Sequence, residues 1–259
     1  MRVVLALEYC GVGFCGWQAQ AQGCGVQDAL EAAIAAIAGT PVRVTTAGRT
    51  DTGVHAAFQV VHFDTAVLRP LSAWVRGVNS HLPAGVAVLW AREVSADFHA
   101  RFAAMQRGYR YVLLNHPVRP ALSHGLIGWH HQPLDVGAMN AAAALLIGKH
   151  DFTAFRAAEC QAKSPIKDLQ QLHIARRGDY LMCDFRADGF LHHMVRNLMG
   201  SLIQVGAGAH PPAWAREILE SRQRALAAPT FDAAGLYLTH IRYPEHFDLP
   251  ESSDRWQYA

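Results

Sequence analysis

The sequence predicts an α+β fold made of two pseudo-repeated lobes, each a ferredoxin-like βαββαβ unit. Strand and helix patterns follow the order β-α-β-β-α-β in the first half of the chain, and the same order returns in the second half with one extra helix. Runs of simple βαβ units, which would indicate a doubly wound parallel sheet, are missing. We therefore expect mixed, largely antiparallel sheets that join between the lobes, are flanked by helices and leave an active-site cleft between the lobes.

The first lobe is predicted to span residues 1–104. A short apolar run predicts a strand at 2–9. The helix that follows has apolar residues at the spacing of one helical face, at Val26, Leu30, Ala33, Ile34 and Ile37. Gly39 and Pro41 then end this helix, which gives it the bounds 26–38. The remaining elements are strands at 42–46 and 59–63, a helix at 71–80 and a strand at 86–94.

The second lobe is predicted to span residues 105–244. Its elements are a strand at 109–114, a helix at 135–147, strands at 166–175 and 180–187, helices at 191–205 and 213–221, and a strand at 236–243. The long helix at 191–205 has a strong apolar face, which indicates that it packs against the sheet. Residues 245–259 form an acidic tail, whose acids are Glu245, Asp248, Glu251 and Asp254.

Composition excludes two classes of protein. With 51% apolar and 17% charged residues and a mean hydropathy of +0.05, the chain of 259 residues is too apolar for a disordered regulator. No apolar stretch approaches the roughly 20 residues that span a bilayer, and the apolar run at 3–7 is too short for a signal peptide. Five cysteines without a CxxC pair predict reduced thiols in a cytoplasmic protein, and neither a disulfide framework nor a zinc site.

The basic residues are nearly all arginine. The formal net charge is only +2, but the 23 basic residues include just three lysines, at positions 149, 163 and 167. Arginine pairs with phosphate through two hydrogen bonds and stacks on bases, which favours a nucleic-acid partner. An alanine- and arginine-rich genome explains the same bias equally well, so composition leaves both explanations open.

A polar segment at 47–56, between two predicted strands, is the best candidate for a functional loop. It contains Gly48 and Gly53, and it places a base and an acid two residues apart at Arg49 and Asp51. Glycine permits close approach of a ligand to the backbone, and loops on a rigid scaffold often carry function. An ordinary hairpin turn capped by Asp51 is the alternative, and the spacing does not decide between them. The nearest acids in sequence are far away, which gives no local support to a two-carboxylate glycosidase.

This segment resembles the signature of a known enzyme family. Gly48-Arg49-Thr50-Asp51-x-Gly53-Val54-His55-Ala56 is similar to the motif of the bacterial tRNA pseudouridine synthase A family, the TruA type. Further blocks follow in the family's order along nearly the whole chain. They are Phe14-x-Gly16-Trp17-Gln18, Val26-Gln27, Gly77-Val78-Asn79, Phe98-His99-Ala100-Arg101, Arg110-Tyr111, Asp151-Phe152-Thr153, His192-His193-Met194-Val195-Arg196-Asn197 and Gly235-Leu236-Tyr237-Leu238.

The resemblance implies an activity. Members of this family isomerise uridine to pseudouridine at positions 38, 39 and 40 in the anticodon stem-loop of tRNA. The reaction detaches uracil from C1′ of the ribose and rejoins it through C5, with no redox step. The resemblance therefore implies an isomerase that needs no cofactor and no metal, takes tRNA as its partner, does not bind a membrane and acts in the cytoplasm as a homodimer.

By this resemblance Asp51 is the catalytic carboxylate. A carboxylate can attack as a nucleophile or move a proton at the sugar, and the sequence does not distinguish attack at C1′, attack at the base and proton abstraction. A uridine in a stem must leave its stack to reach such a group. The resemblance implies that Arg49 enters the stem in place of the flipped nucleotide, with a phosphate contact as the open alternative.

Three further site residues are implied by the family. Tyr109 stacks on the target base and its hydroxyl can move a proton, whereas a strand aromatic without the resemblance is more often part of the core. Arg196 pairs with the catalytic carboxylate and keeps it ionised. Leu238 or its neighbour walls the uracil pocket, although a core role suits Leu238 equally well. We expect Tyr109 and Tyr111 to share one face of their strand, because side chains alternate.

A metal site is not expected. His192 and His193 are predicted to begin the helix that contains Arg196, and adjacent histidines project about 100° apart on a helix. Three positions depart from the family pattern. Cys10 replaces the usual Asp, which we expect to alter a loop near the RNA and not the reaction. Thr52 replaces the commoner Ala, and we expect this small change to be tolerated. Gly108 replaces a larger residue before Tyr109, which we expect to loosen the start of that strand.

Two other functions compete with this interpretation. A non-catalytic RNA-binding module is the first, because ferredoxin-like sheets bind RNA through aromatic platforms, but no RNP1-type string occurs. A nucleobase deaminase is the second. It requires His-x-Glu and Pro-Cys-x-x-Cys for zinc, and neither string is present.

Overall fold

The computed structural model describes residues 1–252, which divide into two compact units. The first unit contains Met1–Gln106 together with 237–252, and the second contains Arg107–Leu236. Within the described residues, no helix combines the length and the apolar character that crossing a membrane requires. Residues 253–259, which include Asp254 of the predicted acidic tail, lie outside the described part of the chain.

The first unit contains five strands and two helices. The strands are β1 (Arg2–Tyr9), β2 (Thr45–Thr46), β3 (His55–Asp64), β4 (Val86–Val94) and, from the end of the chain, β10 (Leu236–Arg242). Their spatial order is β4-β1-β3-β10, and β2 also pairs with β3. β1 is antiparallel to both β3 and β4, whereas β10 is parallel to β3. The pairing of β4, β1, β3 and β2 is the arrangement expected for a ferredoxin-like unit.

The helices of this unit supply part of its core. Helix α1 (Val26–Ala38) has the predicted bounds and buries Val26, Leu30 and Ile34, because these residues recur on one face. The second helical segment begins with a π-helical turn, Ala73–Gly77, and continues as α2 (Val78–His81). β1 contributes an unbroken apolar stretch from Val3 to Leu7 with no solvent exposure, which explains why a short apolar run sufficed to predict it.

The second unit contains five strands and three α-helices. Its strands are β5 (Gln106–Asn115), β6 (Gly128–His130), β7 (Gly148–Asp151), β8 (Ile166–Arg177) and β9 (Tyr180–Ala187). The order is β5-β9-β8-β7 with antiparallel neighbours, and β6 adds to β5 in parallel. The helices are α3 (Val136–Ala144), α4 (Met194–Gly206) and α5 (Ala213–Ser221).

The predicted fold class is confirmed, since the described residues form an α+β structure with largely antiparallel pairing. Several predicted bounds are wrong. The strand predicted at 42–46 is reduced to Thr45–Thr46, and the short strands β6 and β7 were not predicted. Strands of two to four residues contain too few alternations to produce a periodic signal.

Candidate active site

Asp51 lies in the loop between β2 and β3, as the sequence predicts. The Asp51 side chain is half-buried. The backbone carbonyl oxygen of Asp51 accepts a hydrogen bond from the Val54 N–H at 3.1 Å. This bond closes a tight turn whose glycine, Gly53, has a positive φ of 78°. The carboxylate is therefore presented from a short turn that leads directly into β3.

The segment after β1 holds the residue before Asp51. The Trp17 N–H donates to the Thr50 carbonyl oxygen at 2.9 Å. Gly16 has a φ of 91°, and a Cβ there would lie 2.9 Å from the same Thr50 oxygen. Only glycine accommodates both the left-handed backbone and this close approach. The family-like block at 14–18 thus acts locally as a backbone support for the Asp51 loop.

A second contact fixes the other end of the loop. The Gly11 N–H donates to His55 Nδ1 at 2.9 Å, and a Cβ at Gly11 would overlap the Val54 carbonyl oxygen. The buried His55 ring stacks on Tyr237 of β10 with ring centroids 4.4 Å apart. Residues on both sides of Asp51 are therefore held by β1 and its extension.

Cys15 and Cys24 form a disulfide in the segment between β1 and α1. The prediction that all five cysteines are reduced thiols is therefore wrong for this pair, whereas Cys10, Cys160 and Cys183 are free. The spacing gave no warning, because the pairing depends on a folded loop in which the Cys15 N–H donates to the Cys24 carbonyl oxygen at 2.9 Å. The disulfide closes a loop that contains the Gly16–Trp17 support.

Arg49 and Leu238 have contrasting environments. Arg49 is exposed in the same loop as Asp51, so its guanidinium is accessible to solvent. Leu238 has no solvent exposure and pairs with Ala56 of β3 in the parallel ladder. Its side chain belongs to the core of the first unit.

Tyr109 lies on β5 opposite Phe185 of β9. The ring is half-buried and meets the Phe190 ring edge to face, with centroids 5.1 Å apart. Tyr111, two residues further along, is completely buried, and its hydroxyl donates to the Asp232 carbonyl oxygen at 2.9 Å. Tyr109 thus keeps a partly accessible ring, which a stacking role requires, while Tyr111 is part of the core.

Arg196 is held by a segment at 227–232, which we call the strap. Arg196 Nε donates to the Phe231 carbonyl oxygen at 2.9 Å. Arg224 organises the strap, because its guanidinium donates to the Ala228 carbonyl oxygen at 2.9 Å and to Asn197 Oδ1 at 3.0 Å. Burial lowers the pKa of Arg224, although arginine remains charged at any physiological pH. The Thr230 hydroxyl also donates to Asn197 Oδ1, at 2.7 Å.

The two histidines before Arg196 do not begin the helix. α4 starts at Met194, and His193 is in the left-handed region with φ 61°. The helix predicted from residue 191 is therefore wrong at its start, and the two rings lie 4.0 Å apart, centroid to centroid, just before the helix. Arg196 remains on α4, in its first turn.

Comparison with known proteins identifies the family. A model of the family described as tRNA pseudouridine synthase matches residues 5–103 and 142–244. The chain is 73% identical over 259 residues to the tRNA pseudouridine synthase A of Thiobacillus denitrificans, with all of both chains covered. The chain belongs to the tRNA pseudouridine synthase family. It is also 59% identical over 251 residues to the tRNA pseudouridine synthase A of Chromobacterium violaceum, with 96% of both chains covered. The identity to the tRNA pseudouridine synthase A of Dechloromonas aromatica is 57% over 254 residues, with 98% of this chain and 97% of the relative covered.

The stretches that match the family model do not contain all of the candidate residues. The stretches that match the tRNA pseudouridine synthase model include Arg49, Asp51, Arg196 and Leu238, whereas Tyr109 lies between them. The sequence analysis did not find Arg224, which is 27 residues after Asn197 and donates a hydrogen bond to its side chain. An isolated arginine after a helix carries no pattern by which its partner could be found.

Proposed function

We propose that this protein isomerises uridine to pseudouridine at positions 38, 39 and 40 in the anticodon stem-loop of tRNA. The full-length identity of 73% to a tRNA pseudouridine synthase A is the observation that carries the proposal. In this reaction the C1′–N1 bond breaks and a C1′–C5 bond forms. The proton on C5 is lost and N1 gains a proton, so the product is an isomer of the substrate.

Asp51 is the proposed catalytic carboxylate. Supporting this role, its side chain is half-buried in a turn that is braced on both sides, by Trp17 and by the contact of Gly11 with His55. A rigid loop keeps a reacting group in one orientation, which is worth several kcal/mol of the barrier. Asp51 acts at C1′, at the base or as a proton acceptor, and all three routes need the ionised carboxylate.

The remaining site residues are assigned by the same proposal. Arg196 pairs with the Asp51 carboxylate, and the bond from its Nε to the strap supports a fixed orientation of its guanidinium. Tyr109 stacks on the uracil with its half-buried ring. Arg49 occupies the place of the flipped nucleotide, and its exposure suits a contact with RNA. Leu238 supports the wall of the uracil pocket from the core.

The setting of the enzyme is also part of the proposal. The substrate is tRNA, which places the protein in the cytoplasm, and the enzyme acts as a homodimer without metal or cofactor. The names of the relatives support tRNA as the substrate, and the resemblance of the motif blocks is what supports the other statements.

Loss of tritium from C5 tests the proposal directly. In tRNA labelled with [5-³H]uridine, pseudouridine formation releases the label into water. We expect the wild-type protein to release it and Asp51→Asn to release none, while a gel-shift assay still detects tRNA binding by the variant. Binding without any tritium release by the wild type would favour the alternative, a non-catalytic RNA-binding module. Normal release by Asp51→Asn would contradict the role of Asp51.

A further inference from the structure

A buried hydroxyl pair lies next to the candidate catalytic loop. Tyr9 Oη, at the end of β1, lies 2.7 Å from Thr50 Oγ1. Both residues are buried, with relative exposures of 4% and 6%, and Thr50 is the residue before Asp51. No part of the proposed mechanism uses either hydroxyl, so the pair needs an explanation of its own.

A third buried residue sets the direction of the hydrogen bond. Gln59 of β3 is completely buried, and its Nε2 donates to the Gly48 carbonyl oxygen at 2.7 Å and to Tyr9 Oη at 3.4 Å. An amide nitrogen only donates, so Tyr9 Oη accepts from Gln59, and donation from Tyr9 to Thr50 Oγ1 is the arrangement that also satisfies the buried Tyr9 proton. Burial raises the pKa of Tyr9 to about 12, which keeps this proton in place at neutral pH.

We propose that Tyr9 and Thr50 are positioning residues that fix the Asp51 carboxylate for the reaction. The inference rests on the proposed function of Asp51. Two hydrogen bonds hold Thr50. Its carbonyl oxygen accepts from the Trp17 N–H at 2.9 Å, and its hydroxyl is hydrogen-bonded to the Tyr9 hydroxyl. Two attachments on one residue fix both its backbone and its side chain, and therefore the direction in which the chain enters Asp51.

Displacement of the loop would be costly in this arrangement. If Thr50 turned away, the Tyr9 hydroxyl would lose its acceptor inside the core, where an unsatisfied polar group is unfavourable. A reacting group misplaced by about 1 Å loses roughly a hundredfold in rate. The hydroxyl pair therefore favours the one loop conformation in which the carboxylate is correctly placed.

The test compares variants that remove single hydroxyls. Tyr9→Phe and Thr50→Val delete the bond and keep the shape of the side chain, while Thr50→Ser retains a hydroxyl. We expect the single-turnover rate at saturating tRNA to fall about tenfold to a hundredfold in the first two variants, with tRNA affinity within about threefold of wild type. Thr50→Ser should stay close to the wild-type rate. The double variant should lose no more than the slower single variant, because both delete the same bond.

Tyr243→Phe is the matched control. Tyr243 is also buried in the first unit, and its hydroxyl donates to the Ala100 carbonyl oxygen at 2.7 Å, far in sequence from the Asp51 loop. The Tyr243→Phe variant should lower the melting temperature about as much as Tyr9→Phe and leave the single-turnover rate unchanged. Equal rates for Tyr9→Phe, Thr50→Val and the control would overturn the inference.

Asp51→Asn, measured in parallel, distinguishes failure of the positioning role of Tyr9 and Thr50 from failure of the catalytic role of Asp51. An inactive Asp51→Asn beside fully active Tyr9→Phe and Thr50→Val refutes only the positioning role. An active Asp51→Asn refutes the proposed function of Asp51 and the positioning inference with it.

Discussion

Arg196 and Phe231 exchange two hydrogen bonds. Arg196 Nε donates to the Phe231 carbonyl oxygen at 2.9 Å, and the Phe231 N–H donates to the Arg196 carbonyl oxygen at 3.2 Å. The guanidinium orientation therefore depends on where the strap lies against α4. Since Arg224 donates to the Ala228 carbonyl and to Asn197 Oδ1, the position of the strap depends in turn on Arg224.

Loss of Arg224 should therefore lower activity through Arg196. Arg224→Met removes the donors that hold the strap, and we expect kcat/KM to fall about tenfold, or ~1.4 kcal/mol of transition-state stabilisation. Steady-state kinetics on tRNA, with the same substitution repeated in an Arg196→Lys background, measures the coupling. The effect should shrink in that background. An equal loss in both backgrounds would mean that Arg224 acts independently of Arg196, which would contradict this prediction.

Tyr109 variants should separate the ring from its hydroxyl. Tyr109→Phe keeps the ring that meets Phe190 and should retain the stack, so any loss of rate belongs to the hydroxyl. Tyr109→Leu removes the ring, and stacking of about 1–3 kcal/mol per base predicts a loss of roughly five- to a hundredfold in kcat/KM. Tyr180→Leu, an exposed tyrosine on β9, is the control. Equal activity of all three variants and wild type would exclude a base contact by Tyr109.

The first unit should lose stability in mild acid because of His62. Its Nδ1 accepts the Ala100 N–H at 3.1 Å, and burial, followed by the nearby charges of Arg2 and His99, lowers its pKa to about 4. Unfolded histidine titrates near 6.5, so between about pH 6.5 and pH 4 the unfolded chain binds the extra proton. Stability is therefore present above this window and is lost as the pH falls through it.

Urea unfolding measures this loss. The free energy of unfolding should be about 2 kcal/mol lower at pH 5 than at pH 7 from His62 alone. His62→Gln, which keeps a hydrogen-bond acceptor and does not titrate, should reduce the difference. The same pH dependence in wild type and His62→Gln would assign the effect to other groups.

The disulfide should be detectable by counting thiols. If the protein is purified without reductant and then denatured, alkylation should label Cys10, Cys160 and Cys183. After reduction, alkylation should label Cys15 and Cys24 as well. Closing a short loop stabilises by about 2–3 kcal/mol, so reductant should lower the melting temperature of wild type. It should have no effect on Cys15→Ser/Cys24→Ser. Labelling of all five thiols without reductant would contradict the pairing.

Local periodic signals were sufficient to predict the main elements. The bounds of α1 follow from its apolar face and from Gly39, which caps its C-terminal end with a φ of 71°. β1 and β4 were predicted at their observed residues because each is a single, mostly apolar run. The start of α4 was missed because His193 adopts a left-handed conformation, which no apolar pattern reports.

The site was predictable only in part, for the same reason. Asp51 was found because its loop contains glycines, an arginine and a family-like motif within a few consecutive residues. Tyr9 and Thr50 are 41 residues apart and meet only because β1 and β3 are neighbours in the sheet. Contacts of this kind depend on strand pairing, and neither the motif that contains Thr50 nor the strand that contains Tyr9 indicates that the two hydroxyls meet.

Pseudouridine mapping in tRNA from cells that lack this protein tests the role of Asp51 most directly. We predict that positions 38, 39 and 40 remain uridine in these cells. A plasmid carrying the wild-type protein should restore pseudouridine, and one carrying Asp51→Asn at equal abundance should not. Restoration by Asp51→Asn would contradict the account, as would normal modification of these positions in the absence of the protein.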